Sequence, residues 1–525
     1  MKDLAQTNVK RGEGGKLFNF RPALFFALWF ALGVYSVYLF KTDGDFLLAI
    51  GISLALIPVV LFLSKKEKPL FSCALLLLFF AFGVFSAFEE TERYDNPFAA
   101  GRYEITGKIV DGECGGDQCF FILDELTLNG EKTDGLMRAY FSETDFVSLK
   151  IGDRIVFNGE IFPYETDKDA FAYGYVSDWL GFEGKDITDC AFLTGKPDLF
   201  SLLRLRLQER LYAGMSDESA AFTYAVLTGN TSGIESGLLK NVRMGGIAHI
   251  FAVSGLHIGV LYAFCRKLTD KPSPTKFPRI CKFLTVAAVL LFYGGICRFS
   301  ASVVRATVVC LLLYAADLLC VKSNAIERLG VAMLVCLILS PASLFTAGFL
   351  LSFAACFGIC VFSRTLSDLW QKRFVRVFKD AGKPLSGFFA VSLSAQAFTA
   401  PLSLYFFDYV SVWGLLLNCI FVPLLSLTFS FLLAIGFLAC LLPVGAASVL
   451  LRIPSTAITG LMLTFHAFDF SFVLGRTVRI ALPSFVLYYA LLSVLSNRIN
   501  LSRGKKFFVA FILALSFVAT VLLTN

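Results

Sequence analysis

Three histidines in 525 residues leave little material for metal chemistry. No His-x-His-x-Asp-His run can be assembled from His249, His257 and His466, so a metallo-β-lactamase-type nuclease is excluded from this chain. No Gly-x4-Gly-Lys-Ser/Thr loop occurs either, and the protein is therefore not expected to consume ATP itself. No metal and no cofactor are expected. Charge is scarce as well: Asp, Glu, Lys and Arg make up 17% of the chain, against about 25% in an ordinary soluble domain. A chain so short of charge cannot solvate an ordinary globular surface.

What fills the sequence is apolar: 56% hydrophobic residues, 15% aromatics and a mean hydropathy of +0.70. Crossing a bilayer as a helix takes about 20 apolar residues. Such windows lie at 22–40, 46–63, 70–88, 246–265, 282–297, 302–321, 328–345, 347–363, 385–407, 411–440, 444–468, 480–496 and 507–523. The fold class is a polytopic α-helical membrane protein with about 11–14 spans. The window 411–440 has a second reading, a re-entrant half-helix broken at Pro423. The first apolar run is long and has no small-residue cleavage site, so a cleavable signal peptide is not expected.

Charge placement orients the spans, because Lys and Arg concentrate in short cytoplasmic loops. The positive sets are Lys2, Lys10, Arg11, Lys16 and Arg21; Lys65, Lys66 and Lys68; a third from Arg266 to Lys282; a fourth from Arg364 to Lys383; and a fifth from Arg498 to Lys506. With the windows above, all five fall on one face. The N-terminus is then cytoplasmic and the polar insert between the third and fourth windows lies outside.

That insert has the opposite charge. Residues 89–198 hold 24 acidic and 10 basic side chains, so the net +7 of the chain conceals two parts of opposite sign. Short strand patterns run over Tyr103–Val110, Cys119–Leu126, Leu136–Ser142 and Arg154–Ile161, separated by Gly115-Gly116-Asp117, Asn129-Gly130 and Gly152-Asp153. About five short strands in such a segment suit a small β-barrel, with the OB-fold as leading candidate. Four parts follow: an N-terminal membrane region 1–90, an extracytoplasmic all-β insert 91–197, amphipathic linker helices 198–243 and a multispan domain 244–525. In the linker, Ser201–Gly214 sets Leu202, Leu203, Leu205, Leu207 and Leu211 against Arg204, Arg206, Glu209 and Arg210. Such a helix either lies on a membrane surface or packs against its neighbours. Most of the 14 cysteines lie in apolar spans, where a thiol behaves as a small hydrophobe. Cys114 and Cys119 flank a Gly-rich turn outside and are disulfide candidates.

The polar residues inside apolar windows are the candidate functional positions, since ionisable groups at membrane depth usually face a protein interior or an aqueous path. His249, Ser254, Gly255 and His257 share one short segment. Ser254 and His257, three apart, admit an intramembrane hydrolase, although no orienting acid is nearby; a buried polar lock between helices is the other local reading. Arg298, Ser302 and Arg305 form one helical stripe, which an anionic passenger would need. Gln396, Asp408 and Asn418 punctuate later windows, and Gly255, Gly259, Gly294, Gly295, Gly348 and Gly358 offer close helix approach.

The run HIFAVSGLHIG at 249–259 resembles the signature of the ComEC family, the inner-membrane channel of bacterial DNA uptake. Ile105–Val110, Leu149–Glu160, Tyr224–Asn230, Phe299–Ala306, Ala347–Ala354 and Ser394–Asn418 resemble further segments of that family in the same order. The resemblance implies a plasma-membrane channel that passes single-stranded DNA inward. Its path residues would be His249, Ser254, Gly255, His257, Arg298, Ser302, Arg305, Gln396 and Asn418. Partners implied are a DNA receptor, a cytoplasmic ATPase and possible further copies of the chain, besides membrane lipid. Many family members continue into a metallo-β-lactamase-like domain, and this chain stops at Asn525, so a separate nuclease is expected. The acidic insert cannot hold DNA by its overall field; binding there would need a local patch of Arg138, Lys150 and Arg154 with Tyr140, Phe141 or Phe157 for stacking. A structural cap is the alternative for the insert, as a hydrolase or a carrier of another anion is for the chain.

Overall fold

A computed structural model describes residues 22–43, 69–93, 101–115, 118–133, 136–142, 152–163, 179–193, 198–231, 233–247, 255–269, 276–319, 324–411, 413–467, 473–474, 482–495 and 503–524. Most of these are helical. Four helices are long and apolar enough to cross a membrane, at Arg279–Ile296, Ala347–Val377, Gly382–Phe407 and Val444–Leu463, with shorter apolar helices at Pro22–Val37, Leu75–Glu89 and Thr428–Leu441. The protein is a helical membrane protein.

Helices α1 (Pro22–Asp43) and α2 (Pro69–Arg93) pack closely because each presents a glycine to the other's backbone. A Cβ on Gly33 would collide with the Phe80 carbonyl, and one on Gly83 with that of Phe30. Small residues at membrane interfaces allow this approach. The expected span 46–63 lies outside the described residues.

The insert is built from β1 (Gly101–Gly115), β2 (Gln118–Leu128), a short β3 (Glu131–Lys132), β4 (Leu136–Ser142), β5 (Arg154–Pro163) and β6 (Trp179–Leu193). The sheet closes on itself. β1 pairs with both β2 and β5, β5 continues to β6, β6 runs parallel to β4, and β4 returns to β2. Ile105, Ile109, Leu123, Leu128, Met137, Ala139, Ile155 and Phe157 fill the interior, as period-two alternation dictates. Asn129 and Gly130 both take positive φ, 49° and 86°, the geometry of a tight hairpin turn. The four marked strand segments and this turn are all present; β6 is the strand the sequence pattern did not reveal. Cys114 stands opposite Cys119 in the β1–β2 register, with both side chains outside the described residues.

The remaining chain forms α3 (Leu199–Gly214), α4 (Asp217–Thr228), α5 (Ser236–Met244), α6 (Gly255–Thr269), α7 (Lys276–Ile296), α8 (Ala301–Leu318) and α9 (Ala325–Leu339). After a 3-10 turn come α10 (Ala347–Phe378), α11 (Gly382–Phe407), β7 (Val410–Ser411), α12 (Gly414–Leu441), α13 (Val444–Ala467), β8 (Val473–Leu474), α14 (Leu482–Leu495) and α15 (Arg503–Thr524). Caps set several boundaries. Asp198 accepts from the N–H groups of Phe200 and Ser201 to start α3, Gly229 ends α4 at φ 83°, and the Thr346 hydroxyl accepts from Phe349 N–H to start α10. One buried cluster joins Leu207 and Leu211 of α3, Phe222 and Leu227 of α4, Ile258 of α6, Tyr293 of α7, Phe429 of α12 and Leu451 of α13. α3 therefore packs inside the helical body, which corrects the reading of it as a surface-lying helix. Its buried face is Ser201, Arg204, Leu207 and Leu211, while Leu202 stays exposed.

The path of the chain after α11 departs from a simple series of spans. Antiparallel packing of α10 on α11 sets Gly358 against Ser394 and Phe398, so α11 ends where α10 begins. The chain then turns back on itself. Gln396 Nε2 donates to the Ser411 carbonyl at 2.6 Å, and Ser392 Oγ to the Leu415 carbonyl at 3.3 Å. At 1.5 Å per residue, Gln396 lies roughly 16 Å and Ser392 roughly 22 Å from the end of α11. From there α12 climbs back, placing Leu433, Phe437 and Cys440 beside Tyr293 and Ile296 at the end of α7. The segment 411–440 is thus re-entrant, but α12 is continuous through position 423, and the break falls at 408–413 rather than at Pro423.

Pro401 interrupts α11 without unfolding it. Proline has no N–H to give the carbonyl four residues back, and an unmet carbonyl in hydrocarbon costs several kcal/mol. Tyr488 of α14 supplies the missing donor to the Ala397 carbonyl at 2.7 Å, and Tyr489 donates to Phe398 O at 2.7 Å. Tyr488→Phe should lower the thermal stability of the purified protein by about 1–3 kcal/mol, and Pro401→Ala should restore most of that loss. Equal losses with and without Pro401→Ala would show that Tyr488 does not serve the orphaned carbonyl.

Candidate functional site

The turn between α7 and α8 is the most constrained backbone in the helical body. Arg298 and Phe299 both lie in the left-handed region, at φ 57° and 47°, which costs of order 1–2 kcal/mol per non-glycine residue. Local bonds hold it: Phe299 N–H donates to Gly294 O at 2.8 Å and Arg298 N–H to Gly295 O at 3.2 Å. Gly294 leaves room for the Phe299 ring, 3.0 Å from where a Cβ would stand, and Gly295 is covered by the Phe200 ring of α3. Arg204 then reaches from α3 to the end of α7. Its Nη1 donates to Gly295 O at 3.1 Å and Ile296 O at 3.3 Å, and its Nη2 to Ser201 Oγ at 2.8 Å. A cation on the last carbonyls of a helix meets both their hydrogen-bonding need and the helix dipole. At the head of α3 the Asp198 carboxyl is subject to burial, which raises its pKa. The Ser201 hydroxyl and N–H, Arg204 and the Phe200 N–H outweigh that and hold it below the ordinary carboxylate value.

One turn into α8 stands Arg305, only 5% exposed. Its Nη2 donates to Ser302 Oγ at 3.0 Å and to the Gly348 carbonyl at 2.9 Å, and its guanidinium lies 5.9 Å from the Phe349 ring centre. Nε and Nη1 are buried and have no hydrogen-bond partner among the described residues. The stripe expected from the sequence thus does bring Ser302 and Arg305 together, with Gly348 and Phe349 of α10 completing the shell. Arg298 sits half-buried at the turn.

The other expected path residues fall in two further places. His257 is buried and stacks on Phe429 of α12, ring centres 4.1 Å apart; His249 and Ser254 lie outside the described residues. Gln396 and Asn418 flank the re-entrant bend, where Gln396 Oε1 and Asn418 Oδ1 are buried without a partner among the described residues. Close approach is real at Gly294, Gly295 and Gly358. A Cβ at Gly255 or Gly348 would make only ordinary contacts at 3.7 Å, and one at Gly259 would meet nothing within 4 Å.

In the insert, Arg154 pairs with Glu125, whose carboxylate also lies 3.8 Å from Lys108. Phe157 is a core residue at 1% exposure and cannot stack on a base. Arg138, Tyr140 and Phe141 take positions on β4 with side chains outside the described residues, as is Lys150 altogether. Among the described residues no group of three His, Cys, Asp or Glu could hold a metal ion. Sequence reading missed Arg204, Phe429 and Phe349. For Arg204 a signal existed, because 204, 207 and 211 share one helical face with the two buried leucines.

Comparison with known proteins bears on this helical body. Residues 226–501, more than half of the chain, match the family described as "Competence protein". The chain belongs to the competence protein family. The ComEC resemblance of the signature and its neighbouring segments is thereby established. A curated relative, "ComE operon protein 3" of Bacillus subtilis (strain 168), is 24% identical over 293 residues, covering 55% of this chain and 34% of that protein. The chain thus spans about a third of the relative it matches. No solved structure matches. The family region takes in α6–α14, and with them Arg298, Arg305, Gln396 and Asn418; Arg204 lies before it.

Removing the Arg204 guanidinium strands two buried carbonyls. Arg204→Ala should lower the melting temperature of the purified protein, with a loss of about 3–5 kcal/mol if the site closes poorly, and Arg204→Lys should recover part of it. An Arg204→Ala protein as stable as the parent would show that α3 does not anchor α7.

Proposed function

We propose that this chain is a channel carrying single-stranded DNA across the bacterial plasma membrane during competence. Membership of the competence family gives the process, and Arg305 carries the assignment to a path. A guanidinium at 5% exposure with two unmet nitrogens and no carboxylate partner among the described residues is a site short of an anion. Buried cations are otherwise paired, because leaving one bare costs several kcal/mol. A phosphodiester supplies a single delocalised charge and acceptor oxygens that a guanidinium matches. Stacking of His257 on Phe429 supports a structural role for that imidazole over one as a hydrolytic base.

The order of pairing β1-β2-β4-β6-β5 with parallel β4 and β6 supports an OB-type barrel for the insert, lying outside the cell. The pairing of Arg154 with Glu125 weakens the case for a DNA-binding patch there and favours a cap on the channel mouth. Sidedness follows the basic residues: Arg266 and Lys267 close α6, Arg279 and Lys282 open α7, and Lys379 and Lys383 sit at the α10–α11 turn. These belong to the cytoplasmic face, with the α7–α8 turn and Arg305 toward the outside. A nuclease, a DNA receptor and a cytoplasmic ATPase would complete the machinery, and a Cys114–Cys119 bridge would staple the β1–β2 hairpin.

Arg305→Glu should abolish DNA uptake in a transformable host that depends on this chain, with the protein still present in the membrane at parental levels, while Arg305→Lys keeps part of the activity. Undiminished uptake by membrane-inserted Arg305→Glu would remove this residue from the path.

A further inference from the structure

The re-entrant bend is an unusual use of backbone for a membrane domain. Non-helical chain at membrane depth is tolerated only where protein buries it or where it lines a water-filled cavity. Here β7 pairs with β8 through two residues on each side, Val410 opposite Leu474 and Ser411 opposite Val473. The β7 strand lies at the level of Gln396, roughly 16 Å down α11 from its end, about half the thickness of a bilayer core. β8 is followed by α14, whose Phe485 ring lies 5.8 Å from Tyr405 near the end of α11, while Tyr488 and Tyr489 reach Ala397 and Phe398 lower down. The chain therefore rises through the helical body from β8 to the start of α14 without a described helix. Two extended segments meet where continuous helices would be expected.

Three further observations mark this place. A two-residue ladder is too short to be stable by itself, so it parts at little cost. Gly246, at φ 72°, wedges against it; a Cβ there would come within 2.7 Å of Ser411 Cβ and 3.0 Å of Gly414 Cα. The histidine-bearing signature runs from this glycine to the start of α6, so movement of the signature is mechanically tied to β7. Finally, the two unmet amide oxygens of Gln396 and Asn418 flank the same bend, and unmet buried acceptors want water or a donor.

The geometry points to the β7–β8 ladder as the constriction of the translocation path, closed while the ladder is paired and opened when the two strands part. The inference rests on the reading of the chain as a DNA channel. Amide oxygens suit this point because they accept hydrogen bonds from water and from base amino groups without holding phosphates, whereas a cation there would trap them. Passing strand and solvent replace the ladder's own bonds in the open state.

The test uses the full chain in liposomes, with a labelled single-stranded oligonucleotide outside. Val410→Cys/Leu474→Cys places two thiols at directly opposed ladder positions, whose Cα separation of about 4.5–5.5 Å in antiparallel pairing is within disulfide reach; peptide mapping verifies the bridge. Oxidation should reduce strand passage to the level of empty liposomes, and reductant should restore it. Passage unchanged with the bridge formed overturns the constriction. Absence of passage through the wild-type protein contradicts the channel reading itself, whatever the bridge does. If the reduced double variant is already inactive, Asn418→Cys decides: a water-soluble maleimide should modify it, more slowly when oligonucleotide is present. An Asn418→Cys that stays unmodified in the folded protein overturns the inference.

Discussion

In hydrocarbon a backbone carbonyl or N–H without a partner costs several kcal/mol, and water is not there to help. The helical body of this protein is arranged around that constraint. Where helices run unbroken the ladder of bonds suffices. Where they break, side chains are recruited: Arg204 for the last carbonyls of α7, and Tyr488 and Tyr489 for the carbonyls around Pro401. Gln396 and Ser392 serve the carbonyls of the re-entrant bend. These contacts are also the ones that join distant parts of the chain, so satisfying the backbone and assembling the tertiary structure are largely the same event.

Charge follows a second rule, that a buried ion must be neutralised or have a task. Arg204 has a structural task and all its terminal nitrogens serve it. Arg305 differs: Nη2 is held by Ser302 and Gly348, and the other two nitrogens have no partner among the described residues. The two arginines share near-complete burial and differ in what their surroundings supply. That difference, more than the number of cations, is what separates an anchor from a candidate anion site.

Much of this was legible in the sequence. The helical class, the barrel strands, the Asn129-Gly130 turn and the Ser302–Arg305 stripe follow from hydropathy, alternation and helical spacing, which are local properties. The re-entrant bend was half-visible: the window 411–440 is too long for one span, but the break was placed at Pro423, where proline chemistry suggests it. The real break at 408–413 depends on Gln396 and Ser392, contacts across the chain that no local pattern carries. Phe157 and Arg154 show the same limit. Their residue types suit nucleic acid, yet one faces the barrel core and the other is engaged by Glu125. His257 was rightly singled out as buried and polar, but only the structure shows that its ring is stacked on Phe429.

The central claim, that this helical body conducts one strand of DNA, is tested most directly by strand selectivity. Purified full-length protein in sealed liposomes, given labelled single-stranded or double-stranded oligonucleotide of one sequence, should admit the single strand to a nuclease-protected interior and exclude the duplex. Equal entry of both, or entry of neither above protein-free liposomes, would contradict the account.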